Sequence, residues 1–231
     1  MPDRYYLQLA AAFVRGRLAE HPARQTNERL FLQPLASLSA EDQAALVALG
    51  LQEGLRLHKF KRTMDLPRVK KVLGMLKGIQ PEHLLDIGTG RGAFLWTLLD
   101  TFPVLPVTCV DVLEQRVADI LAVQRGGIAH LSAIKGDATM LPFTDRSFAV
   151  VTMLEVLEHI LDTEKALSEV CRVARDFVIF SVPSKEDNNP EHIHLFDQQA
   201  LREMLGARGV HRLNVEYVPN HMIVVAKLDE R

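Results

Sequence analysis

Several features are missing from this chain, and each absence narrows its possible roles. Nowhere in its 231 residues do about 18 apolar residues follow one another, so no segment reads as a membrane-crossing helix and no membrane partner is expected. The N-terminus has no basic stretch followed by a short apolar core and a small-residue cleavage site, which gives the expectation of a cytoplasmic protein. Cysteine is scarce. Cys109 and Cys171 sit in apolar stretches without a CxxC or Cys/His spacing, so a disulfide scaffold and a cysteine-built zinc site are excluded and two buried free thiols are expected. Internal repeats and low-complexity segments are absent. A net charge of −2 and a pI near 6.5 argue against broad nucleic-acid binding.

What is present has the balance of an ordinary globular protein, with 48% hydrophobic and 24% charged residues, and the length suits one α/β domain with an added element. Charge is unevenly spread. Residues 1–80 hold 13 Lys and Arg against 7 Asp and Glu, a balance of +6, which leaves 14 against 22, or −8, for the remainder. The same stretch reads as all helical. From Asp3 to Glu20 the apolar residues Tyr6, Leu9, Ala10, Phe13, Val14 and Leu18 recur at three- and four-residue spacing, one face of a helix. Ser39-Ala40-Glu41-Asp42 resembles a capped helix start, with a helical pattern to Leu57, and Pro67 suits the first turn of a helix running to Gly78.

At Pro81 the texture changes. Strand patterns near 83–87, 106–111, 130–135, 148–153 and 176–182 alternate with helical patterns near 91–101, 114–125, 161–174 and 197–207. Such alternation needs crossover helices and predicts a parallel sheet covered on both faces. Two last apolar stretches, 210–218 and 221–228, are separated only by Pro219-Asn220, which fits an antiparallel hairpin and leaves no room for a crossover.

The first strand runs into Gly88-Thr89-Gly90-Arg91-Gly92 and then into a helical pattern. Glycines at such a junction let the chain turn sharply and let backbone N–H groups approach a nucleotide-like ligand. Asp111, closing the second strand, would grip a ribose in a dinucleotide enzyme as well. Two details favour a different ligand. The spacing is GxGxG and not GxGxxG, and Asp86 precedes the first glycine, where a carboxylate suits a cationic ligand better than a pyrophosphate.

These residues resemble the class I S-adenosylmethionine-dependent methyltransferases, in particular the small-molecule, type 11 branch, over residues 81–228. Asp86 through Gly92 is similar to that family's first motif, Asp111 to its ribose-binding acid, and Gly136-Asp137-Ala138-Thr139-Met140-Leu141-Pro142-Phe143 to its adenine-facing segment. Ser147-Phe148-Ala149-Val150-Val151 resembles its fourth strand, with Ala149 where the family usually has Asp. The resemblance implies an α/β, doubly wound seven-stranded sheet of order 3-2-1-4-5-7-6 with strand 7 antiparallel. It implies S-adenosylmethionine as cofactor, held by Asp86, Gly88, Thr89, Gly90, Gly92, Asp111, Val112, Asp137, Ala138 and Leu154. By the same resemblance residues 1–80 form a helical extension or lid on a cofactor-binding domain of residues 81–231.

Methyl transfer from a sulfonium is an in-line displacement, so the protein must align the reactants, exclude water and remove an acceptor proton where there is one. Candidate groups cluster after the fourth strand, in Glu155-Val156-Leu157-Glu158-His159, and after the fifth, in Glu191-His192-Ile193-His194. Glu155, Glu158, His159 and His194 are the candidate catalytic residues, with either histidine as base. The same four resemble the ligands of metal-assisted RNA 2′-O-methyltransferases, but nothing else in the sequence asks for a metal and none is expected. A small-molecule acceptor is the expectation. An RNA acceptor and a non-catalytic adenosyl-ligand-binding module are the alternatives, and the oligomeric state is not legible. The basic run His58-Lys59-Phe60-Lys61-Arg62 reads as the solvated face of the helical extension, with phosphate tracking as the RNA variant of that reading. It is expected to shape acceptor choice and contribute little to cofactor binding.

Overall fold

The computed structural model describes residues 5–62 and 66–229; Asp3, where the first helical pattern opens, lies outside them. Seven strands form one sheet in the order β3-β2-β1-β4-β5-β7-β6: β1 (Leu84–Ile87), β2 (Val107–Asp111), β3 (Leu131–Lys135), β4 (Phe148–Leu154), β5 (Ala174–Pro183), β6 (Val210–Val218) and β7 (His221–Leu228). The first five pair in parallel, and β7 runs antiparallel to both β5 and β6. The Pro219-Asn220 hairpin imposes this reversal, with Asn220 at φ 68°, a value asparagine tolerates better than most residues. Strand order and orientation are those the family resemblance implies, and the terminal hairpin is the one the apolar stretches predict.

Nine α-helices accompany the sheet among the described residues: α1 (Leu7–Arg17), α2 (Ala23–Thr26), α3 (Glu28–Leu32), α4 (Ala40–Gln52), α5 (Pro67–Ile79), α6 (Leu95–Thr101), α7 (Glu114–Arg125), α8 (Thr163–Val173) and α9 (Gln198–Gly206). Period-2 alternation along β1 sends Leu84 to one face and Leu85 and Ile87 to the other, and two apolar clusters result. One joins α1, α4, α5, α6 and α7 to the sheet; the other holds α8 and α9. Both cysteines are buried free thiols. No helix is long and apolar enough to cross a membrane among the described residues.

Boundaries depart from the periodic reading where local chemistry intervenes. The Ser39 hydroxyl accepts from the Asp42 N–H at 3.1 Å and the Asp42 carboxylate accepts from the Ser39 N–H at 3.4 Å, a reciprocal cap. The helix it opens stops at Gln52 and not Leu57, because Gly54 turns the chain at φ 77°. The short helices α2 and α3 bury too few residues to leave a period in the sequence.

The N-terminal helices share one core with the sheet. Helix α1 lies against α7 so closely that a Cβ on Gly16 would sit 1.8 Å from the Ala122 carbonyl oxygen, and one on Gly126 would sit 1.7 Å from that of Ala12. Four of the 13 basic residues of the stretch 1–80 pair with acids beyond residue 80. Arg17 lies 2.5 Å from Asp119, Lys59 also pairs with Asp119, Arg62 lies 2.7 Å from Asp100, and Lys71 pairs with Glu216. The sequence-level asymmetry of +6 against −8 is therefore partly cancelled inside the fold.

Candidate functional site

The site forms at the carboxyl ends of the parallel strands, where β1 meets the glycine loop. Gly88, Gly90 and Gly92 all adopt positive φ, at 69°, 58° and 82°. A Cβ at Gly88 would lie 2.3 Å from Val156 Cγ2, whereas one at Gly90 would project into open space 3.8 Å from the Gly88 carbonyl oxygen. The loop is thus closed against the protein at its first glycine and open to a ligand at its second. Helix α6 starts at Leu95, four residues later than the sequence pattern suggests, because residues 91–94 remain in turns pinned by the Trp96 indole N–H, which donates to the Arg91 carbonyl at 3.0 Å.

Asp111 closes β2 and ties it to this loop. Its Oδ2 accepts from the Gly90 N–H and its Oδ1 from the Leu113 N–H, both at 2.9 Å. Asp111 lines a cavity of about 460 Å³ together with Gly88, Val112, Asp137, Ala138 and His159, a size that suits a nucleoside. Val112 is 58% exposed, an apolar side chain left open beside the acid. Asp137 accepts from the Thr139 N–H and hydroxyl at 2.8 and 2.9 Å, which holds its carboxylate at the cavity. Leu154 ends β4, half-buried against the core on the N-terminal helices' side.

Asp86 is buried beneath the loop. Its Oδ1 accepts from the Thr152 hydroxyl at 2.8 Å, and among the described residues its Oδ2 has no hydrogen-bond partner. Thr89, also buried, directs its hydroxyl at the Asp86 backbone carbonyl at 3.4 Å. Burial pushes the Asp86 carboxyl up to about 7, and neighbouring Asp111 adds to the rise. A buried carboxylate with one free oxygen is an incomplete arrangement that a cation nearby would complete. A second cavity of about 410 Å³ flanks the other side of the loop, where Arg91, Gly92 and Trp96 face Tyr6, His58 and Lys61 of the N-terminal region. The sequence reading missed this juxtaposition, since no local pattern brings residue 61 to residue 91.

The four acid–base candidates separate into two groups. Glu155, in the left-handed region at φ 57°, accepts from the Ser181 hydroxyl at 2.6 Å and pairs with His221 at 2.8 Å, so it bridges β5 and β7. His194 turns its Nε2 to the Ile160 carbonyl at 3.0 Å. Glu158 and His159 stay together, joined by His192, whose Nε2 lies 4.0 Å from Glu158 Oε1 and whose ring meets His159 edge to face at 4.8 Å. Glu158 is fully buried, and burial pushes its carboxyl up to about 8.

Residues 85–180 match a family model described as a methyltransferase domain. Among curated proteins, the chain is 28% identical over 123 residues to a malonyl-[acyl-carrier protein] O-methyltransferase of Geobacter sulfurreducens, covering 52% of this chain and 44% of that protein. It is 36% identical over 96 residues to a demethylmenaquinone methyltransferase of Roseiflexus castenholzii, covering 39% and 37%. The chain thus spans less than half the length of these curated relatives. A solved SAM-dependent methyltransferase from Aquifex aeolicus superposes with a TM-score of 0.57 at 21% identity, covering 72% of this chain and 100% of that one; it shares the fold. Over residues 85–180 the chain carries a methyltransferase domain, and it is set in the seven-stranded sheet of order 3-2-1-4-5-7-6 that defines the class I S-adenosylmethionine-dependent methyltransferase fold.

Proposed function

We propose that this protein transfers a methyl group from S-adenosylmethionine to a small-molecule or carrier-linked acceptor. The observation that carries the reading is the set of three acids on or just after adjacent strands, Asp111 and Asp137 lining the cavity and Asp86 buried beneath the glycine loop. Asp111 answers the ribose hydroxyls, and Asp137 with Ala138 and Val112 receives the adenine. Gly88, Thr89, Gly90 and Gly92 carry the backbone along the ligand. Leu154 closes the strand end near the transferred group, and Asp86 holds the cationic methionine end in its field. Arg91 and Lys61 supply positive charge for the cofactor's carboxylate. This reading gives residues 1–80 a share in cofactor binding beyond acceptor choice, as a cover docked on the domain of residues 81–229. The cofactor supplies an electrophilic methyl group. The chain's part is to align the acceptor with it, exclude water and accept a proton, and His159, exposed at the cavity wall with His192 and the buried Glu158 behind it, is the group placed to face an acceptor. The named relatives act on malonyl-acyl-carrier protein and on demethylmenaquinone, which supports an acceptor of that size. The pairing of basic residues with Asp100, Asp119 and Glu216 weakens the case for an RNA track.

S-adenosylhomocysteine at about 100 times its Kd adds about 2.7 kcal/mol to the native state, or roughly 5–10 °C in Tm, and NAD adds none. The opposite ranking overturns the assignment. Labelled cofactor incubated with fractionated cell extract is expected to mark a small-molecule or carrier fraction; label in RNA would reverse the choice of acceptor.

A pH signature follows from Asp86. Burial raises its carboxyl to about 7 in the folded chain, from the ordinary value of about 3.8 in the unfolded one. Between these values only the unfolded chain ionises, so stability of the cofactor-free protein falls as pH rises through that window, and the loss is complete above about 7. Binding a ligand with a cationic amino group favours the ionised form. Affinity for S-adenosylhomocysteine should therefore climb from pH 6 to about 7.5, with adenosine, which lacks the amino group, showing no such climb. Calorimetry on Asp86→Asn should give a flat profile across that range; a retained slope would remove Asp86 from the site.

A further inference from the structure

Beside the cofactor cavity, Glu158 presents an unusual situation. It is fully buried, and among the described residues neither carboxylate oxygen has a hydrogen-bond partner. Two imidazoles converge on it, and one donor atom from each of Glu158, His159 and His192 lies within 4.8 Å of the others. One ring nitrogen of each histidine already faces an acceptor. His159 Nδ1 is 2.8 Å from the Glu191 carbonyl, which can only accept, so the proton sits on Nδ1 and Nε2 keeps its lone pair. His192 Nδ1 lies 2.9 Å from Asp187 Oδ2, as a close ion pair and not an aligned hydrogen bond, which favours the same tautomer. Metal-ligating histidines are held in this way, with the far nitrogen directed at a carbonyl or carboxylate and the near one left to the ion.

We propose that Glu158, His159 and His192 form a binding site for a divalent transition-metal ion of the zinc class. Two imidazoles and one carboxylate select zinc or cobalt over magnesium, which prefers oxygen donors. Tetrahedral coordination at zinc distances puts donors about 3.4 Å apart, so the 4.0 Å between Glu158 Oε1 and His192 Nε2 would have to shorten by about 0.6 Å when an ion binds. Glu155 and Asp187 add negative charge around Glu158 and Arg68 opposes it, so these two acids would help draw a cation to the site. Three protein donors leave a coordination position open, and His159 also lines the cofactor cavity, so the open position falls on the side where an acceptor's oxygen or nitrogen would sit. The ligand set differs from the one suggested by the sequence alone, because Glu155 is held by Ser181 and His221, and His194 by the Ile160 carbonyl.

The test needs no methyl transfer. The untagged full chain, stripped with chelator, is titrated with Co²⁺ and followed by visible absorption and calorimetry. We expect one equivalent bound with the ligand-field bands of a four- or five-coordinate ion, displaced by Zn²⁺. Glu158→Gln and His192→Ala should each weaken Co²⁺ binding at least tenfold, and Asp187→Asn about tenfold to a hundredfold as a positioning residue. His194→Ala should leave affinity within twofold, and circular dichroism should show every variant folded. Absence of Co²⁺ and Zn²⁺ binding overturns the site. So does binding unchanged in His192→Ala and Glu158→Gln, or lost equally in His194→Ala.

Discussion

Asp111→Ala is expected to weaken S-adenosylhomocysteine binding by about 1–3 kcal/mol, roughly fivefold to 150-fold, measured by calorimetry at fixed pH and salt. Two losses combine in that figure. The side chain accepts from the Gly90 and Leu113 N–H groups at 2.9 Å while lining the cavity, so its removal takes away the ribose acceptor and also the tie that holds the second glycine in place. Asp111→Asn separates the two. An amide oxygen still accepts one backbone N–H but carries no charge, and an intermediate loss is expected. Unchanged affinity in the alanine variant would show that the ligand does not use this strand end.

The largest effect on stability is expected where two helices touch. In isolation Gly16→Ala should help α1, because alanine outranks glycine in a helix by about 1 kcal/mol. The added Cβ, however, would sit 1.8 Å from the Ala122 carbonyl oxygen and 2.9 Å from its Cα, backbone that no rotamer change can move. Separating the helices costs more than the propensity gain, and a net loss of about 2–4 kcal/mol, or roughly 5–15 °C in Tm, is expected from thermal unfolding. Gly126→Ala should behave alike, meeting Ala12 at 1.7 Å. Gly74→Ala is the control, since a Cβ on that residue of α5 meets nothing within 4 Å; it should stabilise by up to about 1 kcal/mol. The same sign for all three variants would show that α1 does not pack on α7 this closely.

Much of the fold was legible because its signals are local. The strands β1 to β7 recur within a few residues of their apolar runs, since a period of two and a short turn are properties of neighbouring residues. The order of the sheet was not read from those runs; it came with the resemblance of four motifs to a known family. The end of α4 at Gly54 and the late start of α6 were missed, because a positive φ at Gly54 or Gly92 overrides a continuing helical pattern. Gly16 and Gly126 carried no sequence signal beyond a small residue in a helical pattern, since the partner that demands each lies more than a hundred residues away.

The candidate site divides along the same line. By itself the sequence determined the glycine loop, the acids Asp86, Asp111 and Asp137 that end strands or follow them, and the clustering of Glu158 and His159 after β4, because each depends on residues adjacent in the chain. The tertiary structure alone decided which of these act together. It set His192 against Glu158 and turned His194 to Ile160, withdrew Glu155 to Ser181 and His221, brought Lys61 beside Arg91, and paired the basic N-terminal residues with distant acids. It also set the ionisation of Asp86 and Glu158, through burial no local pattern reveals. The physical reason is common to all of these. Hydrogen bonds, ion pairs and desolvation act over a few ångströms of space, and only the packed chain brings segments far apart in sequence within that range.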